Sequence, residues 1–309
     1  MKGFIDQLSK LLKYPYRDII EVDLILCDLF SNLSTIKYFS DNYLLKGGTC
    51  LVKHYLDYYR FSEDIDLTWK NQELFKDKSR REKRELKSII INKTGKLIEE
   101  ICKKLNLDFI NDKRNERYYH FSGDDMVNLK VYYNSVILNF EKVLKIEIVL
   151  IESLKFQPKI GAIKSLIIEN KELKFLFPKE YSKYYKEILI PLYDIREILC
   201  EKVRAILTRE TLKCRDFIDI FVILDKSNLE IQDYSSPIIE KTLFRVKSNK
   251  FKKNFFNILD LIESRDLLLW EDEERLLLKE IDKNRFNMFL TQFKGFLTKI
   301  WDEINTKIS

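Results

Sequence analysis

Asp64 and Asp66 are the residues best suited to chemistry, because they stand two positions apart in EDIDLTW, residues 63–69, where Ile65 and Leu67 alternate with them. This alternation is typical of a β-strand, and residues two apart in a strand point to the same face. Two carboxylates side by side repel each other when water is removed, which is costly unless a cation compensates. Carboxylate oxygens suit Mg²⁺, which shares its remaining positions with water and substrate phosphates. The pair therefore predicts a magnesium site that binds a nucleotide.

Gly47 and Gly48 stand side by side upstream of this pair, in a chain that has only seven glycines. Without a Cβ, a glycine turn lets backbone amides approach phosphate oxygens, and the beginning of a following helix adds further donors. Thr49 would add a hydroxyl to the same phosphate cradle. A Gly-Gly turn before a helix is also common where no phosphate binds, so this interpretation depends on the two aspartates that follow.

A third carboxylate is often needed where two cations bracket a reacting phosphate. Glu147 is the best candidate in the sequence, since it lies in the middle of the predicted strand LKIEIVLIE, residues 144–152, on the same face as Lys145. We expect Glu147 to be the third metal ligand.

Composition excludes several other kinds of site. The chain of 309 residues is 45% hydrophobic, enough for a large core, and its net charge of +6 allows an anionic partner without requiring one. Two histidines do not make a histidine-rich zinc site, and the five scattered cysteines predict reduced thiols rather than disulfides. No stretch reaches the roughly 18 apolar residues of a membrane span, and the N-terminus lacks the apolar block of a signal peptide, so we expect a cytoplasmic protein.

Two segments together carry a resemblance to a known family. Gly47-Gly48-Thr49 followed by RFSEDID, residues 60–66, resembles the first motif of the AbiEii/AbiGii-type nucleotidyltransferases. These are toxins of type IV toxin–antitoxin and abortive-infection systems, within the DNA polymerase β-like nucleotidyltransferase superfamily. EILCEKVRAILTRETLKCRDFIDIF, residues 197–221, resembles the later segment of the family, with matching positions at Lys202, Arg209, Arg215, Asp216 and Asp219. The resemblance spans about residues 40–225.

The resemblance implies a role for each matched residue. Asp64 and Asp66 would bind the catalytic Mg²⁺, while Lys202 and Asp219 would complete the active site. Asp216 and Asp219 lie three residues apart on one helical face, so one of them would hold a cation in place while the other acts. The residues implied in nucleotide binding are Gly47, Gly48, Thr49, Ser62, Lys202, Arg209 and Arg215.

The family resemblance also implies an activity and partners. Such an enzyme would transfer a nucleotidyl group from a nucleoside triphosphate to an acceptor, foremost the tRNA 3′ end, and would stop growth as part of phage defence. A cognate antitoxin, expected to be a helix-turn-helix protein, would counteract it. The alternative is a non-catalytic nucleotide- or RNA-binding module that works through a protein partner. Keeping the carboxylates of Asp64, Asp66 and Asp219 near one another costs free energy, and a protein without a reaction that needs them would have no reason to keep them. This argues against the alternative.

The elements that must position these residues predict an α+β fold. We expect a polymerase β-like nucleotidyltransferase domain over residues 1–175, with a mixed sheet flanked by helices, and a mostly helical domain over residues 176–309 that contributes Lys202 and Asp219. The predicted elements are helices at 18–34, 49–59, 76–105, 194–208 and 215–224, and strands at 43–46, 65–69, 118–121, 129–138 and 143–151. After Pro158, Pro178 and Pro191 the pattern changes to helix, and everything beyond 224 is predicted to be helical. The C-terminal helix carries an apolar stripe at Phe286, Phe289, Phe293, Leu297, Ile300 and Ile304. Asp18 with Glu21, and Asp194 with Glu197, read as capping boxes.

A basic stretch follows the second predicted strand. Residues 76–87, KDKSRREKRELK, hold seven basic residues among twelve. Most such runs are the solvated face of a helix, but this one would also suit the phosphates of an RNA. The sequence leaves both interpretations open.

Overall fold

A computed structural model describes residues 1–123, 125–263 and 274–308 of the chain. It contains two compact units, and neither is a continuous stretch of sequence. The first consists of Met1–Glu152 and Pro158–Leu192, and the second of Ser153–Gln157 and Tyr193–Ser309.

The first unit is built on a mixed sheet of seven strands in the order β3-β4-β5-β2-β1-β7-β6. Its strands are β1 Tyr43–Leu45, β2 Ile65–Trp69, β3 Tyr119–Phe121, β4 Met126–Asn134, β5 Glu141–Val149, β6 Lys159–Ile163 and β7 Ile188–Leu192. Strand β2 pairs antiparallel with β1 and parallel with β5. With the helices around it, this sheet confirms the predicted α+β class and the mixed sheet.

The helices of the first unit are α1 Lys2–Leu12, α2 Arg17–Leu33, α3 Lys37–Asn42, α4 Gly47–Cys50, α5 Arg80–Leu105, α6 Lys171–Leu176 and α7 Pro178–Tyr184. Leu51–Tyr55 continues α4 as a π-helix, and Gln72–Phe75 is a 3₁₀ turn. Helix α5 covers the apolar face of the sheet, since the Tyr43 hydroxyl of β1 is hydrogen bonded to Thr94 of α5. The same face carries Ile65 and Leu67, both almost fully buried.

Two strands were not expected from the sequence. Strands β6 and β7 form the edge of the sheet beyond β1, in a region where the prolines suggested a change to helix. Strand β7 accommodates Pro191 because it pairs with β1 at a single position, Leu45 opposite Leu192, so it needs few amide donors on that side. The first unit extends to Leu192, and the boundary expected from the sequence after residue 175 stays a prediction.

The helix expected at residues 49–59 is shorter and less regular. It begins at Gly47 and ends at Tyr55 as a π-helix, because Asp57 and Tyr58 adopt positive φ angles of 49° and 44° and turn the chain away. A π-helix inside a helical segment is rare and often occurs at functional sites.

Neither predicted capping box forms in full. Asp194 is the N-cap of the helix that begins at Ile195, and its side chain accepts a hydrogen bond from the Arg196 amide, but the glutamates of both predicted boxes bind distant loops instead. Helix α2 begins at Arg17, and Glu21 accepts hydrogen bonds from Ser135 Oγ and the Val136 amide at the turn between β4 and β5. Glu197 accepts the amides of residues 155 and 156, both at 2.7 Å. Each glutamate therefore stabilises a loop far from it in sequence rather than its own helix.

The second unit is helical. Its helices are α8 Ile195–Thr208, α9 Cys214–Lys226, α10 Ser235–Arg245, α11 Asn249–Glu263 and α12 Lys283–Ile308, with a 3₁₀ turn at Ile231–Tyr234. The predicted C-terminal stripe is buried along α12 at Phe286, Phe293, Leu297, Ile300 and Ile304. Helix was also expected across residues 264–273, which lie outside the described residues. In the described parts of the chain, no helix is both long enough and apolar enough to cross a membrane.

Candidate active site

The Gly-Gly turn brings two charged side chains against the backbone. Strand β1 ends at Leu45, and Gly47 then takes a φ of 67°, which side chains other than that of glycine rarely adopt. A Cβ at Gly47 would overlap the Asp66 carboxylate, and a Cβ at Gly48 would lie 2.5 Å from Nη2 of Arg60. The two glycines therefore leave the space that Asp66 and Arg60 occupy.

Asp66 lies in a row of polar residues on the second face of the sheet. It pairs in register with Glu147 on β5, and Glu147 pairs with Asn128 on β4, so their side chains leave the sheet on the same side. The alternate residues of β2, Ile65 and Leu67, face the core. The predicted strand positions of Asp66 and Glu147 are thus adjacent, and Asp64 immediately precedes β2.

These carboxylates suit a magnesium ion only if the substrate supplies further ligands. Among the residues that the structure describes, no group of three or more His, Cys, Asp or Glu side chains is placed to hold a metal. Mg²⁺ commonly takes one or two carboxylates together with waters and substrate phosphates. Asp64 and Asp66 are such a donor set, with a glycine cradle beside them that a Cβ would fill. Glu147 is their neighbour on the next strand.

Two hydroxyls fix the loop that carries Asp64. Thr49 Oγ1 donates to the Asp64 carbonyl oxygen at 2.5 Å and lies 2.8 Å from Ser62 Oγ. Thr49 is fully buried, and Ser62 is 9% exposed. Thr49 therefore ties the beginning of α4 to the strand of the carboxylates, and Ser62 is the more accessible of the two hydroxyls.

Two buried cations at this turn were given no role in the sequence analysis. Arg60 is 2% exposed and donates from Nη1 to the Phe61 carbonyl oxygen at 2.6 Å. Lys46 is 5% exposed, and its amide donates to the Asp66 carbonyl oxygen. Long cationic side chains are seldom buried without a charged partner. A lysine directly before Gly-Gly and an arginine two residues before Ser62 were the signals available in the sequence.

A buried ion pair anchors the π-helix that follows the glycines. Lys53 Nζ lies 2.6 Å from Asp23 Oδ1 and 2.7 Å from the Tyr58 hydroxyl. Burial, the largest single influence, lowers the pKa of Lys53, but the charge and hydrogen bond of Asp23 together with those of Cys27 more than offset it, and the pKa lies above its ordinary value. Lys53 is therefore charged, and it ties the phosphate-cradle segment to α2.

The residues predicted in the later segment form a charge network between α8 and α9 of the second unit. Lys202 Nζ lies 2.7 Å from Asp216 Oδ1 and 2.6 Å from Asp219 Oδ2. Arg209 forms a second ion pair with Asp216. Asp216 thus binds both cations, and Asp219 binds Lys202. Arg215 precedes Asp216 on α9 and is partly exposed.

Exposure distinguishes the members of this network. The side chain of Asp219 is fully buried and that of Asp216 is 3% exposed, whereas Lys202 and Arg209 are 13% and 38% exposed. The carboxylates are therefore interior supports, and the cations are the groups that a ligand could reach. The two carboxylates hold the Lys202 ammonium group in one position.

A second buried lysine supports α8 from its other side. Lys241 Nζ on α10 lies 2.5 Å from Glu197 Oε1 and 3.5 Å from Glu201 Oε1, and it donates to the Ser153 carbonyl oxygen. Glu201 is the residue before Lys202. This cluster fixes the segment Ser153–Gln157 on α8, and no pattern in the sequence predicted it.

Comparison with known proteins identifies the family. The sequence model of the family described as "Nucleotidyl transferase AbiEii toxin, Type IV TA system" matches residues 29–306 of the chain. Two solved structures are similar over nearly the whole chain at low sequence identity. JHP933 from Helicobacter pylori is 15% identical with a TM-score of 0.41, covering 96% of this chain and 100% of that protein. A candidate nucleotidyltransferase from H. pylori is 16% identical with a TM-score of 0.34, covering 92% and 94%.

None of the curated proteins is similar enough to count as a match. The family match covers most of the chain, including both segments that carry the candidate residues. The chain therefore belongs to the AbiEii family, the nucleotidyltransferase toxins of type IV toxin–antitoxin systems.

Proposed function

We propose that this chain is a Mg²⁺-dependent enzyme that transfers a nucleotidyl group from a nucleoside triphosphate to an RNA acceptor, with the tRNA 3′ end as the first acceptor to test. The observation that carries the proposal is the Asp66 carboxylate, which lies against Gly47 and in register with Glu147. A binding module without turnover has no need for carboxylates at a phosphate cradle.

In the proposed reaction, the acceptor hydroxyl gives its proton to a carboxylate of the site and its oxygen bonds to the α-phosphorus. The bond from the α-phosphorus to the bridging oxygen breaks, and pyrophosphate leaves with the electron pair of that bond. Asp64 and Asp66 would hold the magnesium, which neutralises phosphate charge and makes the attacking hydroxyl more acidic. The amides at Gly47 and Gly48, with the Ser62 hydroxyl, bind the phosphates. Arg60 packs against Gly48 and stabilises the turn.

We assign Lys202 to the same reaction as the cation that stabilises charge on the departing pyrophosphate. Asp216 and Asp219 are its positioning residues, since both bind its ammonium group. Arg209 and Arg215 are assigned to nucleotide binding. Glu147 is assigned as an additional metal ligand.

The proposed activity has a direct test. The full chain is incubated with each labelled nucleoside triphosphate, Mg²⁺ and total tRNA, and label in RNA is measured for the wild type and for Asp66→Asn. We expect transfer by the wild type and a loss of more than 100-fold in the variant. Nucleotide binding with no transfer to any RNA or protein would instead support the non-catalytic module.

The proposed toxin role is tested in growing cells. We expect expression of the wild type to stop growth, Asp64→Ala to relieve the arrest, and co-expression of the cognate antitoxin, proposed to be a helix-turn-helix protein, to relieve it also. Growth arrest that persists with Asp64→Ala at equal protein levels would refute both the toxin mechanism and the assignment of this site.

A further inference from the structure

A basic cleft lies between the first half of α5 and the end of β3. It has a volume of about 240 Å³, and its lining includes Arg80, Arg84, Lys87, Lys113, Ser88 and Phe121. We call it the basic cleft. Three of its four cations come from the basic stretch at residues 76–87, to which the proposed reaction assigns no role.

The helix itself creates the row of cations. Arg80, Arg84 and Lys87 are four and three residues apart, which places them on one side of α5. A capping box formed by Ser79 and Glu82 fixes the beginning of the helix directly before them. At about 1.5 Å of rise per residue, the row extends over about 10 Å.

The fourth cation, Lys113, is held at the cleft by hydrogen bonds to α5. Lys113 Nζ donates to Ser88 Oγ at 2.8 Å and to the Ser88 carbonyl oxygen at 3.2 Å. Both acceptors belong to Ser88, which is neutral, so these hydrogen bonds do not offset the charge of Lys113. The ammonium group therefore adds to the positive field of the helical row.

The cleft remains positive after nearby acids are counted. None of its lining residues is acidic. Lys87 pairs with Asp125 at 2.9 Å. Asp125 therefore offsets one of the four lining cations. Clustered cations repel one another, so an anionic ligand would stabilise this arrangement.

The basic cleft and the carboxylates occupy opposite faces of the same sheet. Phe121 is in register with Val127 on β4, and Val127 with Ile148 on β5, which places Phe121 on the apolar face covered by α5. Asp66 and Glu147 lie on the alternate face. The cleft is therefore a separate site rather than part of the metal site.

We propose that the basic cleft binds a single-stranded RNA, with the cations of α5 and Lys113 on successive phosphates and Phe121 stacked on a base. Phe121 is 47% exposed and stacks on the Tyr119 ring, which leaves part of its own ring accessible to a base in the cleft. A positive groove with an exposed aromatic is the arrangement by which proteins bind single strands.

The shape of the cleft favours a polymer over a small molecule. A pocket that encloses a small ligand usually has a volume of about 300–1,000 Å³, and this cleft has about 240 Å³. The cations form a row of about 10 Å rather than a ring around one phosphate. The inference deepens the proposed function, in which RNA is the acceptor, but it requires no turnover.

Binding is measured by fluorescence anisotropy of a labelled single-stranded RNA, without Mg²⁺ or nucleotide, in an Asp66→Asn background. The test variant carries Arg84→Glu and Lys113→Glu. The control carries Lys96→Glu and Lys104→Glu, two exposed lysines of α5 outside the cleft, and has the same net charge. Thermal melting of each variant confirms that it folds.

We expect the test variant to bind the RNA at least tenfold more weakly, and the control within threefold of its parent. The slope of log K against log salt should fall by about 1.4 in magnitude, because each lost phosphate contact removes about 0.7. Phe121→Ala should weaken binding about fivefold or more through lost stacking. Equal weakening in test variant and control, or none in the test variant, would overturn the proposal.

This result is independent of the proposed reaction. If no transfer to any acceptor is detected but the basic cleft binds RNA as described, the proposed reaction fails and the cleft assignment stands. If transfer to RNA occurs and the charge-reversed variant binds RNA normally, the cleft assignment fails and the proposed reaction stands.

Discussion

Replacing Gly47 by alanine tests the contact on which the proposed site depends. Alanine at a φ of 67° costs about 1–2 kcal/mol in backbone strain. The new Cβ would also overlap the Asp66 carboxylate. Because carbon and oxygen atoms pack at about 3.5 Å or more, that carboxylate must move by about 1 Å or the turn must open. A displacement of that size at a reacting centre costs about 100-fold in rate.

We therefore expect Gly47→Ala to lower the rate of nucleotidyl transfer by a factor of about 100 or more. The free energy of unfolding should fall by about 1–2 kcal/mol or more. Transfer is measured with labelled nucleotide and unfolding by urea titration followed by circular dichroism. Two glycines serve as controls. Gly123 has a φ of 75° with nothing within 4 Å of an added Cβ, so Gly123→Ala isolates the strain. Gly295→Ala lies in α12 with the same open space and should not affect transfer.

The comparison between Gly47→Ala and Gly123→Ala shows whether the added Cβ displaces Asp66. If Gly47→Ala loses no more stability than Gly123→Ala and transfers within threefold of the wild type, the Asp66 position does not depend on the missing Cβ. A glycine at position 47 would then not be needed to leave space for the Asp66 carboxylate.

Four further outcomes follow from the structure. Lys53→Met leaves Asp23 buried without its cation and should cost about 3–5 kcal/mol of unfolding free energy by urea titration, whereas adding Asp23→Leu should recover part of the loss. Lys202→Met should reduce transfer more than 100-fold with nucleotide affinity reduced less, and an equal loss in both would refute its assigned role in the reaction. EDTA should abolish transfer and added Mg²⁺ should restore it. Ellman's reagent at pH 8 should not label the native protein, because all five cysteines are buried and burial raises the thiol pKa values of Cys27, Cys102 and Cys200 to about 12.

The sequence was sufficient for the elements whose patterns are local. The alternation around Asp64 and Asp66 predicted β2, and the basic stretch was correctly placed at the beginning of a long helix. The strand position of Glu147 followed from the same period of two residues. In each of these cases, the residues that decide the structure lie within a few positions of one another.

The sequence failed where distant residues decide the outcome. Glu21 has the spacing of a capping box, but its carboxylate is bound by Ser135, which is 114 residues away. Strand β7 contains Pro191, which argues against an interior strand, and only its limited pairing with β1 explains why the proline is accepted. The position of Arg60 beside Gly48 could not be predicted, because it depends on a contact between side chain and backbone that the folded chain creates.

The path of the chain between the two units constrains how such a toxin can be divided. The polypeptide leaves the first unit after Glu152, returns at Pro158 and leaves it again after Leu192. A fragment ending at 192 would carry residues 153–157 without the Glu197 carboxylate that accepts their amides. Recombination at a single point in the gene therefore cannot exchange either unit whole, because residues 153–157 would stay with the sheet and lose their original helical partner.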